Sequence, residues 1–314
     1  MDARTPVSAA SAAHEDMVEL DSESLIASRA YAARQLRSER ISAAIRYALL
    51  VAVGFVMLYP LIWLIGASLK TNSEIFANPG FIPDEPTFQG YIDGWKTSTP
   101  YTFGHFFWNT FLIILPKTIG TAISATAVAY GFARFEFPGK KILFGTLIAT
   151  LLLPNVVTRI PQYLLFRDIG WLDSFLPLWV PSALAGDAFF VFMLVQFLRA
   201  IPRDMEEAAR VDGANSFQTL IFIIVPMLAP ALISVCLFQF MWTMNDFLGP
   251  LIYISSVDKY PVSLALKLSI DTTEAFEWNR ILAMSVLALA PALIVFFLAQ
   301  KYFIEGISAG GVKG

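Results

Sequence analysis

A single cysteine, Cys236, and two histidines, His14 and His105, are the only thiol and imidazole groups in this chain of 314 residues. One cysteine excludes an intrachain disulfide and a thiolate metal cluster. The histidines lie far apart in sequence and suit solvent or an interface better than a metal site. Charge is scarce as well. Asp, Glu, Lys and Arg make up 15% of the chain, against about a quarter in a soluble domain. The net charge of −3 supplies no strong field for a polyanion, and no nucleic-acid partner is expected. The first forty residues contain no apolar h-region. No cleavable leader is therefore expected, and insertion has to begin with the first spanning helix. A phosphate-cradling loop is missing too. Gly139-Lys140 follows Gly131 by eight residues, where a P-loop needs about five. No nucleophile–base pair and no cluster of metal ligands points to an enzyme.

What the chain has instead is apolar length. Hydrophobic residues make up 56% of it, and the runs from Tyr47 to Leu69 and from Ile281 to Gln300 carry no charge. Each is long enough as a helix to cross a hydrocarbon core of roughly 30 Å. Hydropathy predicts an all-α polytopic membrane protein with six transmembrane helices, near 47–69, 104–132, 142–164, 175–198, 225–245 and 281–303. Residues 1–44 read as a partly disordered polar leader, 45–303 as the membrane domain, and 304–314 as a short tail. Pro60, Pro116, Pro154, Pro230 and Pro291 fall within or beside spans. Each proline frees a backbone carbonyl that has to find a partner in protein or in a wet cavity, which suits a protein enclosing a pathway.

Lys and Arg set the orientation. With the N-terminus inside, 14 of the 22 basic residues lie on inner segments and 7 on outer ones, leaving Lys117 within a span. Both termini are therefore expected in the cytoplasm, which requires an even number of spans.

The inner segment 200–226 has an organisation of its own. Asp204 to Val211 is helix-forming, and Pro202 precedes it where a missing amide costs least. Ala208 and Ala209 are small enough for another surface to approach. Gly213 is placed to end the helix with positive φ, and Ser216 to cap a second one. Phe217, Leu220, Ile221 and Ile224 follow at three- and four-residue spacing, giving an apolar face. Two short helices joined by a sharp turn could enter a groove on a partner; an ordinary amphipathic linker is the alternative.

The series Glu207, Ala208, Ala209, Asp212, Gly213, Ala214 and Pro226 resembles the cytoplasmic loop by which permeases of ATP-binding-cassette (ABC) importers dock on their ATPase. Three further segments resemble the carbohydrate, maltose-type branch. They are Ala133, Arg134 and Phe137 to Lys140; Trp242, Asn245, Phe247 and Pro250; and Glu305, Gly306 and Ala309 to Gly314. The resemblance covers residue 45 to the end, and the leader before it departs from the pattern. It implies a non-catalytic permease subunit of a bacterial inner-membrane importer, with Glu207 to Ala214 as the coupling helix. ATP and Mg would be bound by an ATPase dimer, and this chain would hold no cofactor of its own. A second homologous permease and an extracytoplasmic solute-binding protein are the other implied partners, with a carbohydrate as solute. Gly310, Gly311 and Lys313 would reach toward the ATPase.

Polar groups within spans are costly to bury and become pathway candidates. Asn155, Trp242, Asn245 and Asp246 are the choices here, since sugars are recognised by amide and carboxylate hydrogen bonds and aromatic faces. The same groups could instead bond between helices. Lys117 reads as a snorkelling side chain. Two rival functions stay open: an ABC permease for a non-sugar solute, and a stand-alone ion-coupled carrier, for which no internal repeat is visible.

Overall fold

The computed structural model describes residues 39–271 and 277–311, with side chains except at positions 155, 271 and 301–311. Most of the expected leader, Lys313 and the side chain of Asn155 lie outside the described residues, and Gly310 and Gly311 are described as backbone alone. Among the described residues every regular element is helical. The chain divides into two units, residues 1–63 and 64–314.

In the first unit the described chain is helical from Glu39, within α1 (Glu39–Ser68). Its 30 residues give a rod of about 45 Å, longer than the hydrocarbon core. Val51, Val56 and Met57 are each at least 70% exposed, a surface that lipid or another chain has to cover.

The second unit opens on residues 70–103, expected as an extended polar segment. They hold two short helices, α2 (Asn72–Ala77) and α3 (Gln89–Lys96). Thr71 Oγ1 caps α2 by accepting from the Glu74 amide. Lys70 is 1% exposed, and its ammonium donates to the carbonyls of Asn78 and Gly80, both at 2.6 Å.

The central element is α4 (Phe103–Arg134), with Pro116 inside it. It is followed by α5 (Lys140–Leu151) and α6 (Asn155–Asp168). The single helix expected over 142–164 is thus two, because Pro154 cannot continue the hydrogen-bond ladder of α5. The next span is likewise divided, into α7 (Leu176–Ala183) and α8 (Ala188–Ala200). At this break the Ala185 amide donates to the Ser182 carbonyl, and α4 adds a second partner to each. Thr121 Oγ1 donates to the Ser182 carbonyl, and Ser124 Oγ accepts from the Ala185 amide. Satisfying freed backbone groups in this way is what permits a broken helix at membrane depth.

Then come α9 (Asp204–Val211), α10 (Ser216–Met227) and α11 (Ala229–Met244), the last two bent by 77° where they meet. Residues expected as a polar loop form α12 (Leu248–Tyr253) and α13 (Val262–Asp271). The closing helix, α14 (Trp278–Gly311), runs on to Gly311, within the residues expected as a tail. Among the described residues four stretches are long and apolar enough to cross a membrane, α1, α4, α7–α8 taken together (Leu176–Ala200) and α14, and six spans result if each bent pair, α5–α6 and α10–α11, counts as one.

The main core forms where small residues of α4 (Ala125, Ala129 and Ala133) meet Phe190, Val191, Leu194, Val195 and Leu198 of α8 and Ala231 and Val235 of α11. Small side chains let helices approach closely without a hydrophobic drive between them in lipid. At the other end of α4, Asn109 Nδ2 donates to the carbonyls of Asp258 and Tyr260, and Thr110 Oγ1 accepts from the Val262 amide. Beside this, Asp173 holds residues 255–259. Its carboxylate accepts from the Ser255 and Ser256 amides, the Ser256 hydroxyl and the Lys259 ammonium. The Ser256 hydroxyl, then its amide and the Lys259 ammonium, keep Asp173 well below the usual aspartate value, against a smaller opposing effect of burial. The same contact raises Lys259.

Candidate functional site

Two regions concentrate polar chemistry. The first is the knob formed by α9 and the start of α10. Asp204, Glu206 and Glu207 all lie in the first turn of α9, where carboxylates complement the positive end of the helix dipole. The helix closes at Gly213, whose φ of 87° is open to glycine without strain. Asp212 is the C-cap, and the Ala214 amide donates back to the Ala209 carbonyl. The second helix is capped one residue earlier than expected. Asn215 and Gln218 form a reciprocal capping box, Asn215 Oδ1 accepting from the Gln218 amide and Gln218 Oε1 from the Asn215 amide. Ser216 is the first helical residue and not the cap.

The apolar face expected on α10 also shifts. Residues Leu220–Ile224 form a π-turn, so the buried positions are Thr219, Ile224 and Leu228. Phe217 is instead 72% exposed and Ile221 40%. Together with exposed Met205 and Val211, Phe217 gives the knob an outward apolar surface beside Glu207 and Asp212.

Of the two adjacent glutamates, Glu207 faces out while Glu206 is buried. Glu206 forms an ion pair with Arg134, the last residue of α4, with both side chains 4% exposed. Arg134 Nη2 also donates to the Ile201 carbonyl at 3.0 Å, and the Tyr130 hydroxyl donates to Glu206 Oε2 at 3.4 Å.

The second region is a cavity of about 820 Å³, reached by α4, α6, the α7–α8 break and α11. Its walls include Lys117, Arg159, Asp187, Trp242 and Asp246. Asp187 stands at the break and accepts from Gln239 Nε2 at 3.2 Å. Asp246 Oδ1 accepts from the Gly249 amide. The Trp242 ring packs on Phe189, Phe190 and Phe238 with centroids 5.1–6.2 Å away, yet the residue is 50% exposed. An aromatic platform beside carboxylates and ammonium or guanidinium groups, in a space typical of small-molecule pockets, can hold a polyhydroxylated solute by stacking and hydrogen bonds.

The family description "binding-protein-dependent transport system inner membrane component" matches residues 123–308. The chain belongs to that family. A probable ABC transporter permease of Pyrococcus horikoshii is 31% identical over 263 residues, 83% of this chain and 95% of that protein. The diacetylchitobiose uptake system permease of Streptomyces coelicolor is 27% identical over 275 residues, 87% and 90% of the two chains. Among solved structures, a chain of a bacterial ABC transporter involved in import of the acidic polysaccharide alginate superposes with a TM-score of 0.72. It is 24% identical, over 85% of this chain and 98% of that one.

In this permease the residues marked as the coupling helix lie together on the knob. Glu207, Ala208, Asp212 and Gly213 face out, Ala209 is buried against the bundle, and Ala214 is half-buried. The pathway residues separate. Trp242 and Asp246 share the cavity, whereas the Asn245 amide donates to the Met241 carbonyl of its own helix and stands outside the lining. Lys117, read from sequence as a snorkelling side chain, instead lines the cavity with Asp187 and Asp246. Sequence reasoning passed over Glu206 and Arg159 in their present roles. The first signal was available as a second glutamate beside Glu207; only the fold says which of the two turns inward.

Proposed function

We propose that this permease subunit conducts a sugar or oligosaccharide inward across the bacterial cytoplasmic membrane, driven by ATP hydrolysis on a partner. Both termini lie in the cytoplasm. The knob docks on an ATPase dimer, which binds ATP and Mg, and a second, homologous permease completes the pathway. An extracytoplasmic binding protein delivers the solute. The observation that carries this reading is the knob itself: two short helices joined by a turn, held inward by Glu206 and facing out through Glu207, Val211, Asp212 and Phe217. It presents acid and apolar surface together, which suits a groove with basic and apolar walls.

The carbohydrate assignment draws on the diacetylchitobiose permease it resembles and on the cavity. Lys117 and Arg159 face Asp187 and Asp246 there, so the charges balance and an uncharged polyol meets both donors and acceptors. Trp242 supplies the stacking face, and Asp246 accepts hydroxyl protons. Asn155 at the start of α6 belongs to the same proposed pathway, and Asn245 borders it; Gly310, Gly311 and Lys313 are proposed to reach the ATPase.

The test is uptake of labelled oligosaccharides into proteoliposomes holding the full complex, its binding protein and internal ATP. Uptake that needs both ATP and the binding protein is expected. Uptake driven by a proton or sodium gradient with the ATPase omitted would establish a stand-alone carrier instead, and competition by amino acids but not by sugars would overturn the carbohydrate assignment.

A further inference from the structure

The buried faces of α9 are small. Of its eight residues only Glu206 and Ala209 are buried. One of these is a methyl group and the other a carboxylate, so the helix has little apolar grip on the bundle. Its attachment rests on the ion pair to Arg134.

Arg134 is the terminal residue of a 32-residue helix. It binds at three points: its Nε faces Glu206, its Nη2 holds the Ile201 carbonyl just before α9, and it sits where a cation complements the carbonyl end of α4. One turn earlier on α4, Tyr130 donates to the second Glu206 oxygen. The carboxylate is thus gripped by two side chains of a single helix. That helix also carries Lys117 into the cavity, and its Asn109 holds the carbonyls of Asp258 and Tyr260 at the far end.

We infer that Arg134 and Glu206 are positioning residues for transport: they form the joint that makes the α9 knob and α4 move as one body. Displacement of the knob is then delivered to the cavity wall and the distal loop by a rigid rod. The inference rests on the reading of the knob as the ATPase-docking element. It goes beyond that reading by assigning the transmission to one buried pair, and by separating the inward glutamate, which transmits, from the outward Glu207, which docks. A buried pair suits such a joint because losing either member leaves the other charge uncompensated, which drives the two elements apart.

The test uses the full complex, purified with its ATPase and binding protein. Glu206→Gln and Arg134→Gln are each expected to leave basal ATP hydrolysis per complex within about two-fold. Each is expected to lower the increment stimulated by the solute-loaded binding protein more than about ten-fold. Stimulation per assembled complex equal to wild type in both neutral variants overturns the joint, whatever happens to protein abundance. Should the single variants fail to assemble, a second variant decides. Arg134→Met with Glu206→Leu leaves no uncompensated buried charge and is expected to assemble. Its stimulation is expected to fall more than about ten-fold, and stimulation equal to wild type in the assembled double variant refutes the inference. Glu207→Lys serves as the control for the underlying reading. Normal stimulation there removes the docking role of the knob, while its loss alongside normal stimulation in Glu206→Gln removes only the joint.

Discussion

Gly120 of α4 and Ala183 of α7 pass so closely that a Cβ on Gly120 would lie 2.4 Å from the Ala183 Cβ and 2.9 Å from its Cα. This approach brings Thr121 and Ser124 within reach of the α7–α8 break, where they satisfy its exposed backbone. Gly120→Val is therefore expected to force the helices apart and to cost about 1–3 kcal/mol, the usual penalty for overpacking. Thermal unfolding in detergent would register it, and an unchanged midpoint would mean that the two helices can separate freely.

The turn of the knob should respond to φ rather than to size. No atom lies within 4 Å of a Cβ built on Gly213, but its φ is +87°. Gly213→Ala is expected to cost about 1–2 kcal/mol of local stability. Gly213→Pro does more damage, since it also removes the amide that donates to the Arg210 carbonyl. Hydrogen exchange at Ala214 and Asn215 should rise in both variants, more steeply in the second, while exchange in α8 stays as in the wild type.

The Asp173 clamp gives a pH dependence with a definite sign. Asp173 is held below its ordinary value of 3.8 in the folded protein. The stability it contributes is present above that value and fades as pH falls through and below it. Lys259, raised above its ordinary 10.5, contributes below that value and is lost as pH climbs past it. Asp173→Asn should thus lower the unfolding midpoint at about pH 7. The deficit should shrink by about pH 3. A deficit that is the same at both pH values would assign the effect to the altered hydrogen bonds and not to charge.

Within the cavity, Trp242→Ala removes the stacking face and Lys117→Met a donor. Both are expected to raise the KM for oligosaccharide uptake by about ten-fold, as loss of roughly 1.4 kcal/mol of binding would. Asn245→Ala, which lies outside the lining, serves as the control and should leave KM unchanged. Equal effects from all three would argue that the cavity is not the route.

Much of this could be read directly from the chain. The spans stand out because an uncharged stretch of membrane length has no stable place outside a bilayer or a large core. Gly213 stands out because a helix followed by glycine and a new cap is a local pattern. The misreadings arise where the outcome depends on distant residues or on a changed period. Asn215 and Ser216 are both good caps; Gln218, three residues after Asn215, selects the first. The π-turn replaces three- and four-residue spacing with five between Thr219 and Ile224, a period that no helical wheel anticipates. Lys117 looks like a snorkelling lysine until the α7–α8 break opens space in front of it. Glu206 and Glu207 are chemically identical, and the choice between them is made by Arg134 on another helix.

The bonds that shape the knob all close over very short stretches of chain: Asp212 to Ala208, Gly213 to Arg210, Ala214 to Ala209, and Asn215 with Gln218. Contacts of such low sequence separation form on the time scale of helix nucleation and small-loop closure, about a microsecond or less. The tie from Glu206 to Arg134 has to wait until the helices between them have assembled. Eight residues of helix are marginal alone. The local bonds thus close and reopen until the tie to Arg134 forms, and that tie fixes the form of the knob as well as its place.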